Sequence, residues 1–200
     1  LSGGGINNGS SSSTTLTNVT ISGNTAEYGG GMINSSSSPT LTNVIISGNT
    51  TTHRGGGMYN SSSSPTLTNV TISGNTAASN GGGIYNSSSS SPTITNSLFW
   101  GNIKGTSSTI AGADIDNSVS STATISYSLV QLASTSYTSG NNNLLTYAPS
   151  GTATGMVYAT NPSFVNASDP DGADNIWMTG DDGLVLSSTS AGIGAGTSSS

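Results

Sequence analysis

The densest group of reactive side chains in this sequence is acidic and lies near the end of the chain. Five of its eight carboxylates fall within residues 169–182, namely Asp169, Asp171, Asp174, Asp181 and Asp182. The string DPDGAD places three of them around one glycine, and oxygen ligands spaced in this way suit Ca²⁺. The bidentate Glu of an EF-hand loop is missing, and an Asp-Gly turn on a solvated surface accounts for the same string. A calcium site and a plain turn both stay open, and no other cofactor is expected.

Catalytic pairs of acids and bases are sparse in the rest of the chain. Polysaccharide cleavage uses two carboxylates, or a Ca²⁺ ion beside an Arg or Lys base. Glu27, His53 and Arg54 fall just before Gly-Gly-Gly triplets, in segments that we predict to be loops, where a salt bridge is the simpler expectation. Asp114 and Asp116 straddle one predicted strand without a basic partner. Because no nucleophile is paired with a base, we predict that the protein is not an enzyme.

The charge balance excludes several classes of partner. The 200 residues carry a formal net charge of −6, only 5% are charged, and Arg54 and Lys104 are the only bases. Nucleic-acid binding needs clustered Lys and Arg, and anionic membrane surfaces attract basic segments, so neither partner is expected. No apolar run approaches the roughly 20 residues of a membrane helix, so membrane insertion is not expected. There is no cysteine, which removes disulfides and thiolate metal sites.

An internal repeat accounts for the unusual composition. Gly-Gly-Gly triplets begin at Gly3, Gly29, Gly55 and Gly81, a spacing of 26 residues. Each unit contains a Thr-aliphatic-Thr-Asn string and then a Gly-Asn pair, and its length varies only in the Ser-rich run and after the Gly-Asn pair. Because loops tolerate insertions and packed strands do not, these two places are predicted to be loops. A fixed period of this size indicates a solenoid.

The elements of one repeat are predicted to be short strands. No segment shows a 3.6-residue period, and Gly, Ser, Thr and Asn are poor helix formers. In TLTNVTIS, residues 66–73, all three aliphatic side chains point inward if Asn69 takes the left-handed conformation, which Asn tolerates well. The third strand is GMYN or GIYN, with its aliphatic residue inward. Three short strands in each coil of about 26 residues predict an all-β fold, a parallel β-helix.

Stacked coils place equivalent residues over one another at the ordinary strand spacing of about 4.8 Å. One predicted ladder is apolar and interior, and a second consists of side-chain amides. The predicted members are Leu16, Leu41, Leu67 and Ile94 in the interior ladder and Asn18, Asn43, Asn69 and Asn96 in the amide ladder. A slip of register would break both ladders together, so we expect these residues to be structural.

A single β-helix domain is expected over residues 1–200. Regular coils are predicted for 1–130 and an irregular coil for 131–160. The segment 161–200 differs from the repeats and contains Phe164 and Trp177. An atypical, bulky segment is expected at the end of a solenoid because it covers the exposed edge of the last coil. We therefore predict an irregular C-terminal cap there.

The repeats resemble those of bacterial surface proteins, the polymorphic outer-membrane and autotransporter β-helices. GGGI at 81–84 and FWGN at 99–102 fit the Gly-Gly-small-aliphatic and Phe-x-x-Asn motifs of these proteins, and earlier units have Ile in place of Phe. The segments 162–165, 181–186 and 190–196 are similar to the closing segment of choice-of-anchor surface proteins, with Gly194 where Asp is usual. The resemblance implies a right-handed parallel β-helix and an extracellular, cell-surface protein.

Several functions fit such a solenoid. The favoured one is a non-enzymatic structural role, as a surface-fibre subunit whose copies associate head to tail. The alternative is an adhesin stalk that binds a glycan or a host surface. Outward threonines recur about 6.7 Å apart along a strand and about 4.8 Å apart between coils. This array keeps ice binding open, although Thr is also a favoured outward residue in any strand. A polysaccharide-active enzyme is also among the less favoured functions.

Overall fold

The structure is a computed structural model that describes residues 2–12, 14–108, 113–118, 120–131 and 157–159. In these ranges every regular element is a β-strand. The same residues contain no helix of the length and apolarity needed to cross a membrane. The strands form where Thr, Val, Ile and Leu cluster, since branched side chains suit an extended chain, and they end where Gly, Asn or Ser supplies a turn.

The strands belong to three parallel sheets, and each coil contributes to all three in turn. Sheet 1 contains β1 (Ile6–Gly9), β4 (Met32–Ser35), β7 (Met58–Ser61), β11 (Ile84–Ser87) and β15 (Ile115–Asn117). Sheet 2 contains β2 (Thr15–Ser22), β5 (Thr40–Ser47), β8 (Thr66–Thr68), β9 (Thr71–Ser73), β12 (Thr93–Thr95), β13 (Leu98–Trp100), β16 (Thr124–Ser126), β17 (Leu129–Gln131) and β18 (Val157–Ala159). Sheet 3 contains β3 (Thr25–Tyr28), β6 (Thr50–Arg54), β10 (Thr76–Ala77) and β14 (Ile103–Lys104).

The register stacks equivalent residues of successive coils. In sheet 1, Met32 pairs with Met58, Met58 with Ile84, and Ile84 with Ile115. The last step spans 31 residues because the Ser-rich run of that coil has one residue more, and the chain between β14 and β15 has four more, than in the preceding coil. The register of the strands absorbs none of this difference. The all-β, right-handed parallel β-helix predicted from the sequence is confirmed.

The core lies inside the coil and is continuous along its axis. Its side chains alternate along each strand with outward residues, as the two-residue strand period requires. The buried aliphatic and aromatic residues include Met32, Leu41, Val44, Ile46, Met58, Leu67, Val70, Ile72, Ile84, Ile94, Phe99 and Ile115. This narrow apolar column explains how a sequence so poor in hydrophobic residues still folds around a core.

Sharp bends let a short coil close. Asn18, Asn43, Asn69 and Asn96 have φ between 51° and 56°, the left-handed region that Asn tolerates better than most residues. The middle glycines of the triplets serve a different purpose, since they allow the chain of one coil to lie close to the next. A Cβ placed on Gly56 would lie 2.3 Å from the carbonyl oxygen of Gly82.

The loop predicted after each Gly-Asn pair is wrong, because the chain forms the strands of sheet 3 there. The second unit has one more residue than the first between this pair and the next glycine triplet. The extra residue is accommodated by a register shift between β3 and β6, where Ala26 pairs with Thr51 but Tyr28 pairs with Arg54. Length variation therefore marks a β-bulge here, and a bulge preserves pairing on both sides.

The helix continues past the fifth strand of sheet 1. Leu129, Val130 and Gln131 of β17 pair in parallel with Val157, Tyr158 and Ala159 of β18. The cap predicted for 161–200 lies outside the described residues, as does most of the segment 131–160.

Candidate functional site

The acidic and basic side chains of the described residues lie beside one corner of the coil. They are Glu27, His53, Arg54, Lys104, Asp114 and Asp116, and all of them lie in or next to strands of sheets 1 and 3. The Gly triplets join these two sheets, so the charged residues flank the same bend in successive coils. In a chain with only 5% charged residues, this grouping marks the corner as the candidate functional site.

Two columns of outward side chains run along this corner. The first is on sheet 3, where Tyr28 pairs with Arg54 and Arg54 forms a bridge with Asn80. The second is on sheet 1, where Tyr59 pairs with Tyr85 and Tyr85 with Asp116. We call these side chains, with two neighbours, the aromatic–charged corner: Tyr28, His53, Arg54, Tyr59, Asn80, Tyr85, Lys104 and Asp116.

Each member of the first column contacts a member of the second. The rings of Tyr28 and Tyr59 meet edge to face with centroids 5.7 Å apart. The Cζ of Arg54 lies 5.2 Å from the centroid of the Tyr85 ring. The Nδ2 of Asn80 donates a hydrogen bond of 2.8 Å to Asp116 Oδ2. The three contacts occupy equivalent places and change from aromatic to cation–π to amide–carboxylate along the axis.

Further ring contacts extend this arrangement. The ring of His53 stacks on Tyr28 with centroids 4.9 Å apart, and Tyr59 stacks on Tyr85 at 5.6 Å. The burial of these rings differs across the corner: Tyr85 is buried, Tyr28 and Tyr59 are half-buried, and His53 is exposed. Packed rings lose little further freedom when a ligand binds, so the corner is rigid in advance.

The expectation that Asp116 lacks a basic partner is wrong. Its Oδ2 accepts a hydrogen bond from Lys104 Nζ at 2.7 Å, in addition to the one from Asn80. The two residues are only 12 apart in the chain, but they lie on strands of different sheets, β14 and β15, and a pattern read along single strands does not bring them together. Asp114 is also engaged, because its Oδ1 accepts from Asn102 Nδ2 at 2.8 Å.

Glu27, His53 and Arg54 lie on β3 and β6 and not in loops. The guanidinium of Arg54 lies over the ring of Tyr85 from a later coil, a contact that the sequence analysis did not predict. Sequence reasoning missed the role of the outward tyrosines. The signal was the recurrence of Tyr59 and Tyr85 at the same place in GMYN and GIYN.

The predicted ladder residues stack coil over coil. Leu16, Leu41, Leu67 and Ile94 are paired in sequence, and all but the half-buried Leu16 are fully buried. The Asn18 ladder lies at the exposed bends, where Asn43 Nδ2 donates to Asn18 Oδ1 and Asn69 Nδ2 to Asn43 Oδ1, each at 3.2 Å.

Two buried amide ladders were missed by the sequence analysis. Each Nδ2 donates to the Oδ1 of the next coil at 2.7–3.0 Å. One contains Asn8, Asn34, Asn60, Asn86 and Asn117, and the other contains Asn24, Asn49, Asn75 and Asn102. The first ladder could have been predicted, since Asn60 stands two residues after the inward Met58 and side chains two apart on a strand point to the same face. The second consists of the Asn of each Gly-Asn pair.

The outward threonines of sheet 2 form two further columns. The first runs through Thr15, Thr40, Thr66, Thr93 and Thr124, all exposed, and the second through Thr17, Thr42, Thr68, Thr95 and Ser126. The hydroxyls of Thr95 and Ser126 lie 3.3 Å apart. None of the charged residues of the described part belongs to these columns.

The five aspartates predicted to bind calcium, Asp169, Asp171, Asp174, Asp181 and Asp182, lie outside the described residues, and that site stays a prediction. Within the described ranges no group of three or more His, Asp or Glu side chains is arranged to hold a metal ion.

Three parallel sheets in a continuous coil, with side-chain ladders inside and outside, define a β-solenoid protein. The chain belongs to the right-handed β-helix family, whose sequence pattern matches residues 4–191. No curated protein and no solved structure matches the chain. The family includes polysaccharide-active enzymes and non-enzymes, so membership identifies the fold, and the function must be argued from the site.

Proposed function

We propose that the protein is a non-enzymatic, extracellular β-helix of the adhesin-stalk type that binds an extended polysaccharide along the aromatic–charged corner. The observation that carries this proposal is the pair of columns in which tyrosines, a guanidinium, an amide and a carboxylate follow one another along the axis. Sugars present apolar ring faces and polar hydroxyls together, and recognition sites for them combine aromatic surface with a few placed polar groups.

The shape of the corner supports a long ligand. The columns repeat with the coil, about every 4.8 Å along the axis, and they cross at least four coils, from Tyr28 to Asp116. A polymer lying parallel to the axis would meet equivalent positions in succession. A compact ligand would use only one of them.

The hydrogen bonds that Asp114 and Asp116 accept within the protein support a binding role over catalysis. Asp116 is held by Lys104 and Asn80, and Asp114 receives a hydrogen bond from Asn102 within the buried ladder. A general acid or base must exchange its proton with a substrate within hydrogen-bond reach. These carboxylates instead accept hydrogen bonds from other side chains of the protein.

Binding is tested with the 200-residue chain and a panel of immobilised polysaccharides. We expect retention on at least one polymer, and we expect the double variant Tyr28→Ser, His53→Ser to lose at least tenfold in affinity. Trp100→Ser is the matched control, because it removes a half-buried aromatic ring from sheet 2 and should leave binding unchanged. Circular dichroism checks that each variant keeps its strands. Retention on none of the polymers, or equal losses in both variants, would contradict the proposal.

Ice binding is a second candidate function, favoured by the two threonine columns of sheet 2. Each column covers five coils, and β-branched side chains are stiff at χ1, so their hydroxyls and methyl groups form a regular, charge-free array. The test is thermal hysteresis and inhibition of ice recrystallisation. Thr66→Tyr with Thr68→Tyr should abolish both effects, whereas Thr52→Tyr, an exposed threonine on sheet 3, should not. Native protein without either effect would exclude this function.

A further inference from the structure

We infer that the polysaccharide bound at the aromatic–charged corner is anionic, and that Arg54 contacts its carboxylate or sulfate groups. This inference rests on the proposed function and specifies its ligand. Three observations carry it: the burial of Asp114 and Asp116, the exposure of Arg54, and the contact of its guanidinium with the ring of Tyr85.

Two of the three acids beside the corner are withdrawn from solvent, and the third, Glu27, is exposed on β3. Asp114 is 7% exposed and Asp116 is 6% exposed, and both accept short hydrogen bonds from the protein. The negative charge of Asp116 is also offset by Lys104 at 2.7 Å. A ligand at the surface of this part of the corner therefore meets little uncompensated negative charge, although the chain as a whole is acidic.

The base of the corner is exposed in contrast. Arg54 and its neighbour His53 are both exposed. The guanidinium of Arg54 lies over the ring of Tyr85, and the nearby carboxylate of Asp116 is paired with Lys104. The guanidinium thus keeps its charge and its N–H groups available to a ligand.

The contact with Tyr85 also restricts the position of the guanidinium. Its Cζ lies over the Tyr85 ring, 5.2 Å from the centroid, and Tyr85 is itself buried and stacked on Tyr59. The attraction between a cation and a ring face favours this position before a ligand binds. Arginine forks match carboxylates and sulfate-like groups in a bidentate manner, and these charge-assisted hydrogen bonds are about twice as strong as neutral ones.

The test compares three polymers with the same backbone: dextran, carboxymethyl-dextran and dextran sulfate. We expect the native chain to bind one or both charged polymers at least tenfold more tightly than dextran, with an affinity that falls as salt is raised. Arg54→Gln should remove at least tenfold of the affinity for the charged polymers. Arg54→Lys should recover only part of it, since Lys lacks the planar fork.

The control variant separates a local contact from overall charge. Arg54→Gln combined with Thr68→Lys restores the net charge but moves it to sheet 2, and it should bind as poorly as Arg54→Gln alone. Recovery of binding in this variant would overturn the inference. Single-stranded DNA serves as a further anionic polymer, and binding as tight as that of the charged dextrans would overturn the assignment to a polysaccharide.

The results also separate this inference from the proposed function on which it rests. If the polysaccharide panel shows binding at the corner, but the charged dextrans bind no better than dextran and Arg54→Gln has no effect, the inference is wrong and the proposed function stands. If no polysaccharide binds at all, both are wrong.

Discussion

Buried asparagines connect the coils of this protein at the scale of single residues. The side chain of Asn75 donates to Ile46 O and Asn102 Oδ1, each at 2.9 Å, and accepts from the backbone N–H and the Nδ2 of Asn49. Asn75 is fully buried. A buried polar group left without its partner costs about 1–3 kcal/mol, so a slip of register that broke these ladders would be strongly unfavourable.

Asn75→Ala is expected to lower the free energy of unfolding by about 3 kcal/mol or more, because it leaves several buried groups unsatisfied. The control is Asn69→Gly, at an exposed bend with φ 55°, where glycine keeps the left-handed conformation and only the 3.2 Å hydrogen bond to Asn43 is lost. That variant should lose less than about 1 kcal/mol. Urea unfolding measures both, and similar losses would contradict a special role for the buried ladder.

One residue shows how the second buried ladder ends. Asp114 occupies the place of the third glycine of the earlier triplets, since Ile84 pairs with Ile115 and Gly83 precedes Ile84. Its Oδ1 accepts from Asn102, the last asparagine of that ladder, at 2.8 Å. Every amide of this ladder donates a hydrogen bond toward the following coil, so the last amide needs an acceptor there. A carboxylate can only accept hydrogen bonds, and Asp114 therefore supplies that acceptor.

Asp114→Gly is therefore expected to destabilise the protein by about 1–3 kcal/mol, although it returns the third triplet place to the glycine of the earlier repeats. The substitution leaves an Nδ2 hydrogen of Asn102 without an acceptor in a buried position. Asp114→Asn keeps an oxygen there and should have the smaller effect. Thermal unfolding of the three proteins compares them, and a stabilised Asp114→Gly variant would show that the repeat consensus outweighs the ladder.

At the scale of elements, close approach between coils is concentrated at the Gly triplets. A Cβ placed on Gly30 would lie 2.4 Å from a carbonyl oxygen of the next coil, and one on Gly56 would lie 2.3 Å from its counterpart. Real side chains do not come this near to a backbone oxygen, so the chain can lie this close to the next coil only with glycine at positions 30 and 56. Before β15, Ala113 and Asp114 stand at the second and third triplet places.

Gly56→Ala should destabilise the protein by at least about 3 kcal/mol or prevent folding, because the added Cβ would clash with backbone atoms of Gly82 and Thr76, which cannot move aside as a flexible side chain can. The matched control is Gly9→Ala at the end of β1, where a Cβ would meet nothing within 4 Å. That variant should change the stability by less than about 0.5 kcal/mol. Soluble yield and urea unfolding report the difference, and a Gly56→Ala variant as stable as the native chain would contradict the packing argument.

An element of this fold can be predicted from the sequence only where its own residues show a recognisable strand pattern. Sheets 1 and 2 could be predicted because their strands contain aliphatic residues at fixed places, such as Leu67 and Met58, and because Asn69 marks the bend. Sheet 3 could not, since β10 is only Thr76–Ala77 and β6 is almost entirely polar. Its strands exist because neighbouring coils supply hydrogen bonds, as between Thr76 N and Asn49 O. The candidate corner was missed for the same reason, as half of it stands on sheet 3.

At the scale of the whole molecule, the two ends of a parallel solenoid differ. In the first coil Ile6, Leu16 and Val19 are only partly buried, whereas Met32, Leu41 and Val44, their partners in the second coil, are 0–1% exposed. Apolar side chains therefore face outward along the axis at this end of the 200-residue chain. Strand edges are also templates for pairing with another chain.

We propose head-to-tail contact between copies at this end as a separate property of the 200-residue chain. Sedimentation velocity should then show particles that grow with concentration, because a head-to-tail contact does not close on itself. Leu16→Lys should reduce this growth, since it places a charge in the contact, while Ser11→Lys, an exposed residue of the same coil, should leave it unchanged. A monomer at every concentration, or equal effects of the two lysines, would show that copies do not stack through their cores.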